Sequence, residues 1–438
     1  MEHQRISRMS EAHISPPKTF GGKLKLIGPG IILAAAAIGS GELILTPRAG
    51  ALYGLSIAWI ILVSVVYKLF LTLGLARYTI ATGEDIFVGF SHLPGPRFWF
   101  VWIMGVIYLL GAIGYSGISL ACGSALYALF PSLSMVQWAV IVVILAYVLL
   151  LSGSYRSVEK AAFILSFVLI AGVLYSLGAL RPDIAWFFKG LAPKLPSGSG
   201  QTAVSLLGWT AGGTSTLIYS FWILEKGIGR ERSEGKNFKE WLSLIRLDTG
   251  ISYFLMILIS FAFLTIGVLV LRTAGPDGGP LIPAREETTS VLSRLLTVAT
   301  GPQTKFMFLV AALAILYSTV IGLVDGKSRA LRSATKIIFP QTKKISDKKM
   351  YRLFATLMCL IIFAFLFTKR PVVLIVLISA VEAPVLSISA IVLIYLLHKK
   401  LPRSMRPGLV WHGIIICGTI LYLILSSVVL VKTLLGQF

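Results

Sequence analysis

Apolar runs of about 18 residues or more follow one another along the whole chain with short polar breaks between them, and no other feature leaves so few folds open. A run of that length crosses the hydrocarbon core as a helix. About eleven fall near 25–52, 55–79, 98–130, 135–152, 158–180, 201–229, 247–271, 303–324, 351–369, 371–398 and 409–434. With 56% hydrophobic and 13% charged residues among 438, neither a soluble domain nor a disordered chain is in question. The expected fold is an all-α integral membrane protein.

The net charge of +22 lies in alternate short loops rather than on one face. The basic loops are the N-terminal tail, the turn with Arg156 and Lys160, Lys226 to Arg246, Lys327 to Arg352 and Lys399 to Arg406. The positive-inside rule then puts the N-terminus in the cytoplasm and the C-terminus outside, and leaves nucleic acid out of account. The expected setting is the cell membrane of a prokaryote (its inner membrane), multi-pass and monomeric, with the lipid bilayer and a small ion or small polar solute as partners. Cys122, Cys359 and Cys417 sit within apolar runs, and His3, His13, His92, His398 and His412 are isolated, so neither a disulfide nor a zinc site is indicated. The stretch Gly322 to Ser328 is one residue short of a phosphate loop and no strand precedes it. No nucleotide, cofactor or catalytic triad is expected, and the protein is not read as an enzyme.

Two of the runs are broken. In the first, Gly39-Ser40-Gly41 interrupts the helix and Glu42 follows at once. In the sixth, Gly208, Gly212 and Gly213 precede the hydroxyls of Thr214, Ser215 and Thr216. Two glycine-interrupted spans five helices apart point to an inverted-repeat transporter with its site at the bilayer midplane between them. Carbonyls ending each first half would be free for a cation, and the start of each second half favours an anion. An intramembrane carboxylate costs roughly 2.5–3.5 kcal/mol on insertion scales, so Glu42 is a functional candidate by default. It also has a structural reading, as a first-turn acid with Ser40 as cap and the midspan Lys68 as charge partner. Glu382, beside Pro384 in the tenth run, is the other midplane carboxylate, whereas Glu225, Asp248 and Asp325 lie near cytoplasmic helix ends and are expected to be solvated. Glu42 and Glu382, as metal ligands, with Ser40, Thr210, Thr214 and the backbone of Gly39, Gly212 and Gly213 around them, would form a hard-oxygen site suited to magnesium, manganese or calcium rather than softer transition metals.

At these residues the chain resembles the natural-resistance-associated macrophage protein (Nramp) family of divalent-metal transporters. Gly28-Pro29-Gly30 matches the opening of the family's first helix, and counting on places its Asp-Pro-Gly-Asn metal motif on Gly39-Ser40-Gly41-Glu42. Ser318, Thr319, Gly322 and Gly326 look like its S-T-x-x-G-x-x-x-G, and Glu382-Ala383-Pro384 sits where members have Gln-Leu-Pro. The resemblance implies a LeuT-type fold. It also marks departures. Where the family's sixth helix has Ala-x-x-Met-Pro-His, this chain reads Trp209-Thr210-Ala211-Gly212-Gly213-Thr214, and the family's later histidine falls near Ile218. The soft thioether and the evident proton route are therefore missing.

The expected organisation is a cytoplasmic tail over 1–24, a first repeat over 25–180, an outer loop over 181–200, a second repeat over 201–398, and a cytoplasmic loop with a peripheral eleventh helix over 399–438. The expected function is transport of a divalent cation, magnesium or manganese, without proton coupling. The alternative is transport of a small polar or amino-acid-like solute by a relative that no longer binds metal. A second outer loop is expected to end in a surface helix opened by Pro283 and carrying Glu286 and Glu287.

Overall fold

The computed structural model describes residues 15–39, 41–182, 191–229, 235–275, 278–281, 301–367 and 371–434. Ser40 and the expected helix at Pro283, Glu286 and Glu287 lie outside them. Among the described residues there is no strand, and helices stand at all eleven expected runs. Among the described residues seven helical stretches are long and apolar enough to cross a membrane. The chain is a multi-pass α-helical membrane protein with the LeuT-type arrangement.

Both breaks occur where the sequence puts them. The first half of span one, Pro29–Ala37, stops at Ile38 and resumes as a π-turn, Gly41–Leu45, running into Thr46–Tyr53. Gly39 is required because a Cβ there would lie 2.6 Å from the Thr319 hydroxyl. The first half of span six, Gly200–Trp209, ends in a left-handed stretch in which Ala211, Gly212 and Gly213 have φ of 56°, 95° and 48°. At Ala211 that conformation works against the side chain, by about 1–2 kcal/mol. The helix resumes over Tyr219–Glu225.

The first half of span one packs against spans five (Tyr155–Leu180), seven (Gly235–Ile266) and eight (Pro302–Ile338) and against the broken part of span six. Its start is pinned: Asp248 of span seven accepts hydrogen bonds from the Gly28 and Gly30 amides at 3.1 and 2.7 Å and from the Tyr219 hydroxyl at 2.7 Å. Lys226 and Glu159 pair beside Gly28.

Two expectations are corrected on this side. Asp248 and Asp325 are buried rather than solvated, because each is saturated by donors. Asp325 binds Arg329 twice over, the Tyr351 hydroxyl at 2.8 Å and the Trp222 indole at 2.9 Å, and Arg329 reaches on to Glu225 at 2.8 Å. Span eight also does not end near residue 324. It continues to Ile338, and Lys327, placed in a cytoplasmic loop by its charge, is buried in mid-helix by its partners.

Candidate functional site

The spans bring two carboxylates and two ammonium groups to the breaks, each almost wholly buried: Glu42, Glu382, Lys68 and Lys327. Such charges persist in a low-dielectric interior only if fully bonded.

Glu42 is bonded across both breaks. Its Oε2 accepts from the Gly39 amide at 3.0 Å and its Oε1 from the Ala211 amide at 3.0 Å, with the Ser260 hydroxyl 3.4 Å away. It therefore closes the amide end of its own broken helix and holds the left-handed turn of the other. Glu382, on span ten (Pro371–Lys400), does the same for span six alone. Its carboxylate accepts from the Thr214 amide at 3.2 Å and the Thr214 hydroxyl at 2.9 Å, and Lys327 lies 3.4 Å from it. Gly213 makes this approach possible, since a Cβ there would sit 2.0 Å from Glu382 Oε2.

The expected pairing of Lys68 with Glu42 is not formed: among the described residues no ion pair joins them. The Lys68 ammonium instead donates to the carbonyl oxygens of Leu207 at 2.8 Å, Gly208 at 3.3 Å and Thr210. An ammonium carries three donors and no acceptor, and a helix end offers carbonyls bearing partial negative charge. The expectation of carbonyls free for a cation is corrected with it, for the end of Gly200–Trp209 is already occupied. The corresponding end of span one is closed by hydroxyls: Ser318 lies 3.0 Å from the Ala35 oxygen and Thr319 2.8 Å from that of Ile38.

Between the breaks is a small cavity of about 20 Å³, lined among others by Gly39, Gly212, Ser215, Thr319 and Glu382. That is room for one water-sized occupant. Of the expected site residues, Gly39, Gly212 and Glu382 line it. Glu42, Thr210, Gly213 and Thr214 frame it from behind, through the bonds above. Tyr115 and Trp209 also line it, and each buries a polar atom, OH and Nε1, that has no hydrogen-bond partner among the described residues.

Three contributors escape a reading by sequence. Lys327 sits over the rings of Tyr108 and Tyr115 at 4.8 and 5.0 Å, in space that Gly111 leaves open. Its only signal is a lysine inside the false phosphate loop. Ser260 carries no signal at all. Tyr422, on span eleven (Leu409–Leu434), is fully buried and lies 2.9 Å from Ser64 and 3.1 Å from the Leu207 oxygen, so this outward-facing helix still sends one side chain to the break.

A family model described as natural resistance-associated macrophage protein-like (Nramp) matches residues 30–432. The divalent metal cation transporter MntH of Deinococcus radiodurans is 28% identical over 313 residues, 69% of this chain and 68% of that protein. Among solved structures, a manganese transporter of Eremococcus coleocola superposes with a TM-score of 0.67 at 16% identity, covering 96% of this chain and 89% of that one. Mhp1, a nucleobase-cation-symport-1 family transporter crystallised with bromovinylhydantoin, gives 0.60 at 13% identity, covering 92% and 91%. The last two share the fold with this chain.

Proposed function

This chain belongs to the Nramp family, a family of divalent-metal transporters rather than enzymes, and from that premise we propose that it carries a hard divalent cation, magnesium or manganese, through the cavity beside Glu382. The observation that supports this most is the lining. Its side-chain donors are the oxygens of Glu382, Ser215, Thr319 and Tyr115, with no thioether, thiol or imidazole among them. Such a set favours magnesium or manganese over softer metals. A volume near that of one water suits an ion better than an amino acid.

Lys327 supplies the remaining step. Its ammonium neutralises Glu382 while resting over the faces of Tyr108 and Tyr115, which attract a cation; an arriving dication takes the carboxylate and leaves Lys327 held by the two rings. The empty carrier is then charge-balanced and returns without a proton. No histidine stands among the lining residues to carry one. The proposed location is the prokaryotic cell membrane.

A second reading, a small acceptor-bearing organic solute, draws on Trp209 Nε1 and Tyr115 OH. An indole N–H cannot ligate a metal but can donate to a carboxylate. Reconstitution into liposomes with magnesium- and manganese-responsive dyes separates the two. Influx that Glu382→Gln abolishes, with internal pH steady, is the expected result. No flux of either ion, together with stabilisation by amino acids, would overturn the first reading in favour of the second.

A further inference from the structure

Among the four charges at the breaks, Lys68 is bonded unlike the rest. Glu42 holds amides, and Glu382 and Lys327 hold each other, but Lys68 meets oxygens of the backbone. Leu207, Gly208 and Thr210 turn their carbonyls toward one point, and the Lys68 nitrogen occupies it. Ser64, one turn earlier on the same helix, Ala58–Thr82, sets its hydroxyl 3.4 and 3.3 Å from the Leu207 and Thr210 oxygens. Tyr422 closes the remaining side at 3.1 Å from the Leu207 oxygen. Lys68 has no exposed surface, and no carboxylate pairs with it among the described residues.

A ring of carbonyl oxygens around a single positive charge at the negative end of a half-helix is how proteins replace the hydration shell of a monovalent metal ion. We propose that this is a monovalent-cation site whose ion is the Lys68 ammonium itself, covalently supplied, so that the wild-type protein holds its sixth span in the broken form without sodium or potassium. The proposal concerns the frame of the site and is independent of the cargo, because it is read from stability rather than from uptake.

Lys68→Ala empties the ring and leaves its oxygens in place, whereas Lys68→Met fills the space with an uncharged chain of similar length. Purified full-length protein is unfolded by heat in sodium, potassium or choline chloride at equal ionic strength. The Lys68→Ala protein is expected to be less stable than wild type in choline. Sodium or potassium should raise its midpoint saturably, by about 3 °C at 100 times the dissociation constant. Wild type and Lys68→Met should show no difference between the three salts. Equal midpoints for Lys68→Ala in all three salts, or a sodium or potassium effect of the same size on wild type, would overturn the proposal. Lys68→Ser adds one oxygen to the ring and is read in the same way if the alanine variant does not accumulate. Failure of both to accumulate even in sodium or potassium also counts against it, since the ion should then have restored the fold.

Discussion

Replacing Glu42 by alanine tests whether that carboxylate braces the two breaks or serves as a ligand. In the structure its two oxygens hold the Gly39 and Ala211 amides, both in the buried interior. Removing it orphans two donors at about 1–3 kcal/mol each, or about 4 kcal/mol together. An unfolding entropy of about 2.1 cal/mol/K per residue over 438 residues converts this to a fall of about 4 °C in Tm. Glu42→Gln keeps one acceptor for one of the two amides and should lose about half as much. Fluorescence-monitored unfolding in detergent, run with and without magnesium or manganese, measures both. A brace gives the same loss in both conditions. A loss that appears only when the ion is present, or variants within about 1 °C of wild type throughout, would refute the reasoning.

The other predictions concern the neighbours of the cavity. Lys327→Met removes the internal competitor for Glu382 and should tighten cation binding about tenfold by calorimetry, equal to about 1.4 kcal/mol, while lowering the midpoint of the ion-free protein. Unchanged affinity would exclude the displacement step. Gly213→Ala places a methyl 2.0 Å from Glu382 Oε2 at a φ of 48° and should cost about 2–3 kcal/mol, seen as a lower Tm and loss of uptake. Asp248→Asn keeps one acceptor but loses the charge that holds the Gly28 and Gly30 amides; a cysteine placed at Leu33 should then label faster from the cytoplasmic side. Uptake of manganese should leave the internal pH of liposomes steady, and acidification that tracks the metal would contradict the proposed lack of proton coupling.

The positions of both breaks are legible in the sequence because glycine is the residue that tolerates them. Gly39, Gly212 and Gly213 lie against Thr319, Ala37 and Glu382 at distances no Cβ would permit. The burial of Glu382 is legible for the same kind of reason, as a charge in mid-run. The partners are not. Whether Lys68 turns to Glu42 or to three carbonyls depends on where span two crosses the end of span six, and no local pattern records a crossing. Lys327, Asp248 and Asp325 mislead in one direction: a charge near a helix end reads as solvated until a partner from another span is known, here Glu382, Tyr219 and Tyr351. Ser260 and Tyr422 are ordinary residues on apolar helices until the fold brings them to the breaks.

The position of Glu42 has a mechanical consequence. One carboxylate joined to the amides of Gly39 and Ala211 makes spans one and six a linked pair, so that a shift in either must carry the other or break a charge-assisted bond. At about 2 kcal/mol for such a bond, conformations with one break open and the other shut would be about 30-fold rarer than without the link. Glu42, which is not among the residues lining the cavity, would in that way limit passage through such half-open forms between turnovers.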